Sequence, residues 1–164
     1  MHSKQRDKYK NTIRLIFALL FSYTVMWSAS VFTSSSVGSW YKALEKPFWN
    51  PPNSAFPIVW TILYTMIGIA FWKILCTPKA YTFKVFAAFF VQMLLNFTWS
   101  LAFFYLQNPA LGLITILALL LAICWNIRVF NEHSKLAVKL LVPYFLWVFY
   151  ASTLNLAIWY LNPS

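Results

Sequence analysis

Five long apolar runs, separated by short polar or basic clusters, make up most of the chain; they cover 13–33, 57–75, 85–106, 110–127 and 137–161. Each approaches the roughly 20 residues that a helix rising about 1.5 Å per residue needs to cross a hydrocarbon core about 30 Å thick. The runs are apolar nearly all round, whereas barrel strands alternate apolar and polar residues in segments of about ten. A helix also pairs its own backbone groups, as lipid demands of any spanning segment. The pattern predicts an all-α integral membrane protein: a five-helix transmembrane bundle over 13–161, preceded by a basic segment, 1–12. No Gly/Ser linker or long polar tract divides it, so one domain is expected.

The connections differ in length. Only Gln107, Asn108 and Pro109 separate the third and fourth runs, a tight turn whose proline can open the next helix and which makes those helices antiparallel neighbours. The first connection is a long extramembrane loop, SSSVGSWYKALEKPFWNPPNSAF from Ser34 to Phe56. Pro47, Pro51 and Pro52 deny it a continuous helix. A loop of this length and aromatic content points to function or to the membrane interface.

Composition sharpens the picture. Only 10% of residues are charged and 61% are hydrophobic, against the about 25% charged residues of a soluble domain. The net charge of +10 does not indicate nucleic acid, because the basic residues sit in short clusters between apolar runs. With an inside N-terminus, eleven of the thirteen (Lys4, Arg6, Lys8, Lys10, Arg14, Lys73, Lys79, Lys84, Arg128, Lys135, Lys139) fall inside and only Lys42 and Lys46 outside. Positive-inside bias therefore predicts an inside N-terminus, an outside C-terminus and the first loop on the outer face. The basic opening, the apolar run from Leu15 to Trp27 and Ser28-Ala29-Ser30 have the form of a cleavable signal peptide, but the apolar character continues through Phe32 and the charge count works with the helix retained. Three acids, Asp7, Glu45 and Glu132, give no carboxylate pair for hydrolysis, and Cys76, Cys124, His2 and His133 form no metal-ligand or disulfide pattern.

Polar residues deep in apolar helices are costly unless they face protein or water, so they are the first candidates for a site. Gln92, Asn96 and Trp99 share one face of the third helix; Tyr144, Trp147, Ala151 and Asn155 share one face of the fifth; Trp60, Tyr64 and Phe71 align on the second. Gln92 and Asn155 suit hydrogen bonds that tie helices together. Asn96, mid-span beside Trp99, suits a ligand. Trp147 lies nine residues from Val138, about 13 Å along the helix and too deep for an interfacial belt. A cavity of indole, phenol and amide groups with no acid or base favours flat, π-rich amphiphiles and not ions.

Trp40-Tyr41-Lys42-Ala43-Leu44-Glu45-Lys46-Pro47-Phe48-Trp49-Asn50-Pro51-Pro52, with Phe56-Pro57 and Val59-Trp60, resembles the signature of the tryptophan-rich sensory protein/translocator protein (TspO/MBR) family, formerly the peripheral benzodiazepine receptors. Asn96-Phe97-Thr98-Trp99-Ser100 with Phe103-Phe104, and Pro143-Tyr144 through Trp147 to Leu154-Asn155, match in order. The resemblance implies a five-helix membrane receptor, commonly a homodimer in the lipid bilayer. It would bind tetrapyrroles such as protoporphyrin IX and heme, and benzodiazepine-type compounds or cholesterol in some members, with no required cofactor or metal. Matching positions would place Tyr41, Pro51, Trp60, Asn96, Trp147 and Ala151 around the ligand. In some bacterial members tryptophans matching Trp60 and Trp147 are implicated in light-dependent porphyrin breakdown. The cholesterol motif of animal members has an arginine closely following a tyrosine, whereas Tyr160 here is followed by Leu161, Asn162, Pro163 and Ser164. That difference points to a bacterial membrane, with the mitochondrial outer membrane as the alternative. Three functions follow: a binding and sensing protein, a porphyrin-degrading enzyme using Trp60 and Trp147, or a porphyrin, lipid or sterol transporter. The first fits best, since no nucleotide motif and no acid/base pair is present.

Overall fold

A computed structural model describes residues 2–163. The apolar runs fold as α1 (His2–Val37), α3 (Ala55–Leu75), α4 (Phe83–Ser100), α5 (Pro109–Asn131) and α6 (Lys135–Leu161), with a four-residue helix, α2 (Trp40–Ala43), in the first connection. Each long helix is long and apolar enough to cross a membrane. They begin before the stretches expected from hydropathy, and polar residues cap three of these starts: Thr82, Asn108 and Ser134 each accept a hydrogen bond from the backbone N–H three residues on, at 3.3, 2.9 and 3.3 Å. The basic segment 1–12, where described, continues α1 and stands as a solvent-facing arm, exposed from Gln5 to Lys10.

Two details depart from simple helical spans. The third span ends in a π-helical turn, Leu101–Tyr105, in which the N–H of Leu106 donates to the carbonyl of Leu101 at 2.9 Å. Gln107 then takes a left-handed backbone (φ 51°) to reverse the chain, and Pro109 opens α5, where a missing N–H costs nothing. Pro143 sits inside α6, so the carbonyl of Lys139 lacks its helical partner.

Packing sets the ring order α1, α3, α6, α5, α4 and back to α1. Chain direction alternates, so the first loop, the π-turn and the C-terminus share one end (the loop end) and most basic residues the other (the basic end). Towards the basic end the interior is solid: Phe71 lies flat on Phe89, centroids 3.8 Å apart and planes 4° from parallel, and Phe89 stacks on Phe130 at 6.3 Å. Lys84 and Glu132 pair at 3.1 Å beyond them. Close approach of α1 to α3 depends on Gly68, where an added Cβ would lie 2.9 Å from Leu19 Cδ2.

Candidate functional site

At the loop end the helices diverge around a cavity of about 370 Å³, within the range of small-molecule sites. Its walls come from three helices. α1 supplies Met26, Ala29, Ser30, Thr33, Ser34 and Val37, a helical face one turn repeated; α3 supplies Phe56, Pro57, Trp60, Thr61 and Tyr64; α4 and the π-turn supply Asn96, Trp99, Ser100 and Phe104. Tyr41 and Asn53 of the first loop form its roof. Among the described residues no lining side chain is charged.

The aromatic wall is continuous. Trp60 lies 5.7 Å from Tyr64 and 6.1 Å from Trp99, ring to ring, and Trp99 stacks on Phe103 at 6.1 Å. Asn96 sits at the deep end. Its Oδ1 accepts from the Tyr64 hydroxyl and its Nδ2 donates to the Tyr144 hydroxyl, both at 2.7 Å, which joins α3, α4 and α6 at one point. The π-turn turns Phe104 into the cavity and presents its carbonyl to Ser36, whose hydroxyl donates at 2.6 Å.

The roof is tied down. The buried Tyr41 packs on Phe104 at 5.6 Å and donates to Asn50 Oδ1 at 3.0 Å. Burial pushes its pKa up to about 12, so it stays a neutral donor. Lys46 lies over the Tyr41 ring at 4.8 Å. The Asn162 side chain holds the backbone of Glu45 reciprocally, accepting from its N–H at 3.0 Å and donating to its carbonyl at 2.9 Å; the Tyr150 hydroxyl donates to the carbonyl of Trp49 at 2.6 Å.

Of the six residues expected around a ligand, Tyr41, Trp60 and Asn96 line this cavity; Pro51, Trp147 and Ala151 do not. Pro51 is one step removed: its carbonyl accepts from Asn50 Nδ2 at 3.0 Å, and Asn50 takes the Tyr41 hydroxyl. Trp147 packs edge-on at 6.1 Å against Phe56, which does line the cavity. Its indole Nε1 is buried without a hydrogen-bond partner among the described residues. Ala151 is buried in α6 packing. Helical phase places Trp147 and Ala151 on the inward face but is silent on which other helices supply the cavity lining, here α1, α3 and α4. The α1 wall is absent from the residues expected at the site. Its only signal is the small and hydroxylic residues Ala29, Ser30, Thr33 and Ser34 at helical spacing, which in sequence read as part of an apolar span.

Five helices long and apolar enough to cross a membrane, three of them walling a tryptophan-lined, loop-roofed cavity, define an integral membrane protein. The chain matches the family model described as TspO/MBR family over residues 17–161, and it belongs to that family. It is similar to the "Tryptophan-rich protein TspO" of Archaeoglobus fulgidus, 43% identical over 152 residues (93% of this chain and 99% of the relative). The protein of the same name from Chlorobaculum tepidum is 40% identical over 156 residues (94% and 99%). The human "Translocator protein" is 29% identical over 123 residues (73% of each chain).

Proposed function

We propose that this protein is a membrane receptor for tetrapyrroles, protoporphyrin IX and heme, held in the cavity beneath the first loop. The observation that carries the reading is the cavity wall itself: Trp60, Trp99, Tyr64 and Phe104 offer π-faces, Asn96 and the wall hydroxyls offer a few hydrogen bonds, and no charge is present. Such a wall suits a large planar amphiphile, whose faces stack and whose polar edge is fixed by few contacts. The test is titration of the purified, detergent-solubilised protein with protoporphyrin IX in darkness, followed by tryptophan fluorescence. Trp60→Ala should weaken binding by about tenfold or more, while Trp60→Phe keeps affinity within about tenfold, or about 1.4 kcal/mol. Equal affinity for parent and Trp60→Ala would refute the site.

A second reading, light-driven porphyrin breakdown, is favoured by one observation: two indoles, Trp60 and Trp99, stand 6.1 Å apart on the same wall, with the Tyr64 ring 5.7 Å from Trp60. Trp147, which does not line the cavity, is less well placed than Trp99 to give an electron to a guest. Illumination in air separates the readings: loss of porphyrin that Trp60→Phe abolishes carries the enzyme, and binding without loss carries the receptor.

A further inference from the structure

We propose that guests reach the cavity sideways from the lipid, through a gap between the loop-end halves of α1 and α3 edged by Ser30, Ser34, Pro57 and Thr61. This rests on the reading of the cavity as a site for membrane-dissolved planar amphiphiles. The gap follows from the path of α1. Its basic-end half is fastened to α3: the Trp72 indole donates to the carbonyl of Asn11 at 3.0 Å, Leu19 fills the space over Gly68, and Ser22 donates to the carbonyl of Tyr64 at 2.6 Å. The hydroxyl pair of Tyr23 and Thr65, at 2.6 Å, is the last hydrogen bond on this seam among the described residues. Beyond it α1 leans towards α4, where Phe32 meets Phe97 edge-on at 5.4 Å and Ser36 holds the π-turn.

Exposure distinguishes the two sides of the cavity. On the α4 side Asn96, Trp99, Ser100 and Phe104 line it and are buried; on the α1/α3 side Ala29 and Tyr64 are buried, but Ser30, Ser34, Pro57 and Thr61 line it and are exposed, and of the two roof residues Tyr41 is buried and Asn53 exposed. The exposed residues therefore belong to the cavity wall and to the outer surface at once. Ser30 lies seven residues before the end of α1 and Thr61 six after the start of α3, which puts the deep edge of the gap about 10 Å below the loop end. Its neighbours Trp27, Val31, Ile58 and Ile62 are large, apolar and exposed, as at a lipid-facing surface. The gap faces the acyl chains near the headgroups.

The chemistry of the rim fits an amphiphile in transit. Ser30, Ser34 and Thr61 each donate to a carbonyl of their own helix, at 2.7, 3.0 and 2.8 Å, so none is left unpaired when no guest is present. Their oxygens still accept, which gives the N–H or O–H edge of a passing molecule successive partners. Entry from water is the harder route. Lifting the loop breaks both bonds between Asn162 and Glu45 and the bond from Tyr150 to Trp49, whereas the lateral path breaks no hydrogen bond between α1 and α3.

The test uses the full chain in lipid nanodiscs, with protoporphyrin IX as probe. Association is followed by stopped-flow quenching of tryptophan fluorescence and dissociation by transfer to excess empty vesicles. Val31→Cys, at an exposed neighbour of the gap that does not line the cavity, in a background carrying Cys76→Ser and Cys124→Ser, is modified after folding with a bulky thiosulfonate reagent removable by dithiothreitol. Modification should slow association and dissociation together by about tenfold, leave the dissociation constant within about threefold, and be reversed by dithiothreitol; Asn162→Ala should change both rates by less than about twofold. A modified protein that exchanges porphyrin at the unmodified rate, or Asn162→Ala accelerating both rates about tenfold, would overturn the lateral route. Weaker affinity at an unchanged association rate would put the reagent in the guest's seat and not in its path, and would overturn the route equally. If the Cys-free parent shows no quenching at all, the tetrapyrrole reading itself fails, an outcome distinct from the others.

Discussion

Asn96 sits where a polar group in lipid is most costly, and the bundle answers by using it twice. Its bonds from Tyr64 and to Tyr144, both 2.7 Å, join three helices, yet one N–H and one lone pair remain for a guest in the cavity. A reading of Asn96 as ligand contact alone is therefore incomplete. Asn96→Ala should lower stability by about 1–2 kcal/mol even without ligand, the sum of two interhelical hydrogen bonds at the usual membrane magnitude. Thermal unfolding in detergent measures this, and an unchanged melting temperature would strip the triad of its structural role. Asn155 ties helices as its type and place suggest, accepting from the Trp99 indole at 3.1 Å and donating to the carbonyl of Pro109 at 2.7 Å. Gln92 does not follow the same expectation: neither its amide oxygen nor its nitrogen has a partner among the described residues, and the same holds for Asn126 of α5. Residue type announces a polar group in the core; only the packing says what it meets.

Among the elements, the join between α4, the π-turn and α5 is set most tightly. A Cβ at Gly112 would lie 2.8 Å from Phe103 Cδ2 and 2.9 Å from Asn155 Oδ1. Phe103 in turn supports Trp99 and Tyr41, at 6.1 and 6.2 Å, so this glycine lets α5 back the cavity's aromatic wall. Gly112→Ala gains about 1 kcal/mol of helix propensity, but overpacking at such contacts costs about 1–3 kcal/mol. The expected outcome is a lower melting temperature and weaker porphyrin binding. Gly38→Ala, with nothing within 4 Å of the added atom, is the matched control and should leave both unchanged. Hydropathy and capping residues make these helices legible in the sequence. The π-turn is not, because five apolar residues, Leu101 to Tyr105, carry no local mark of a widened turn; it follows from how Phe103 and Phe104 pack.

For the whole molecule, charge and packing answer different questions. Eleven basic residues on one end against two on the other predict that the basic end is cytoplasmic and the loop end faces outward. Single cysteines replacing Lys42, Lys79 and Lys135, without Cys76 and Cys124, should react with a membrane-impermeant reagent on intact cells only at position 42. Labelling at 79 or 135 alone would invert the orientation. The sequence by itself determined that the chain is a five-helix membrane protein, because span length, uniform apolarity and clustered charge are properties of single segments against a bilayer. It also marked Tyr41, Trp60 and Asn96 through their motifs and phases. Which helices enclose the cavity was decided only in three dimensions. α1, α3, α4 with the π-turn, and the first loop supply its walls, and Phe56 lines it while Trp147, packed against Phe56, does not. Both depend on side chains far apart in sequence meeting, such as Ser36 with Phe104 and Trp147 with Phe56, and no local periodicity records such encounters.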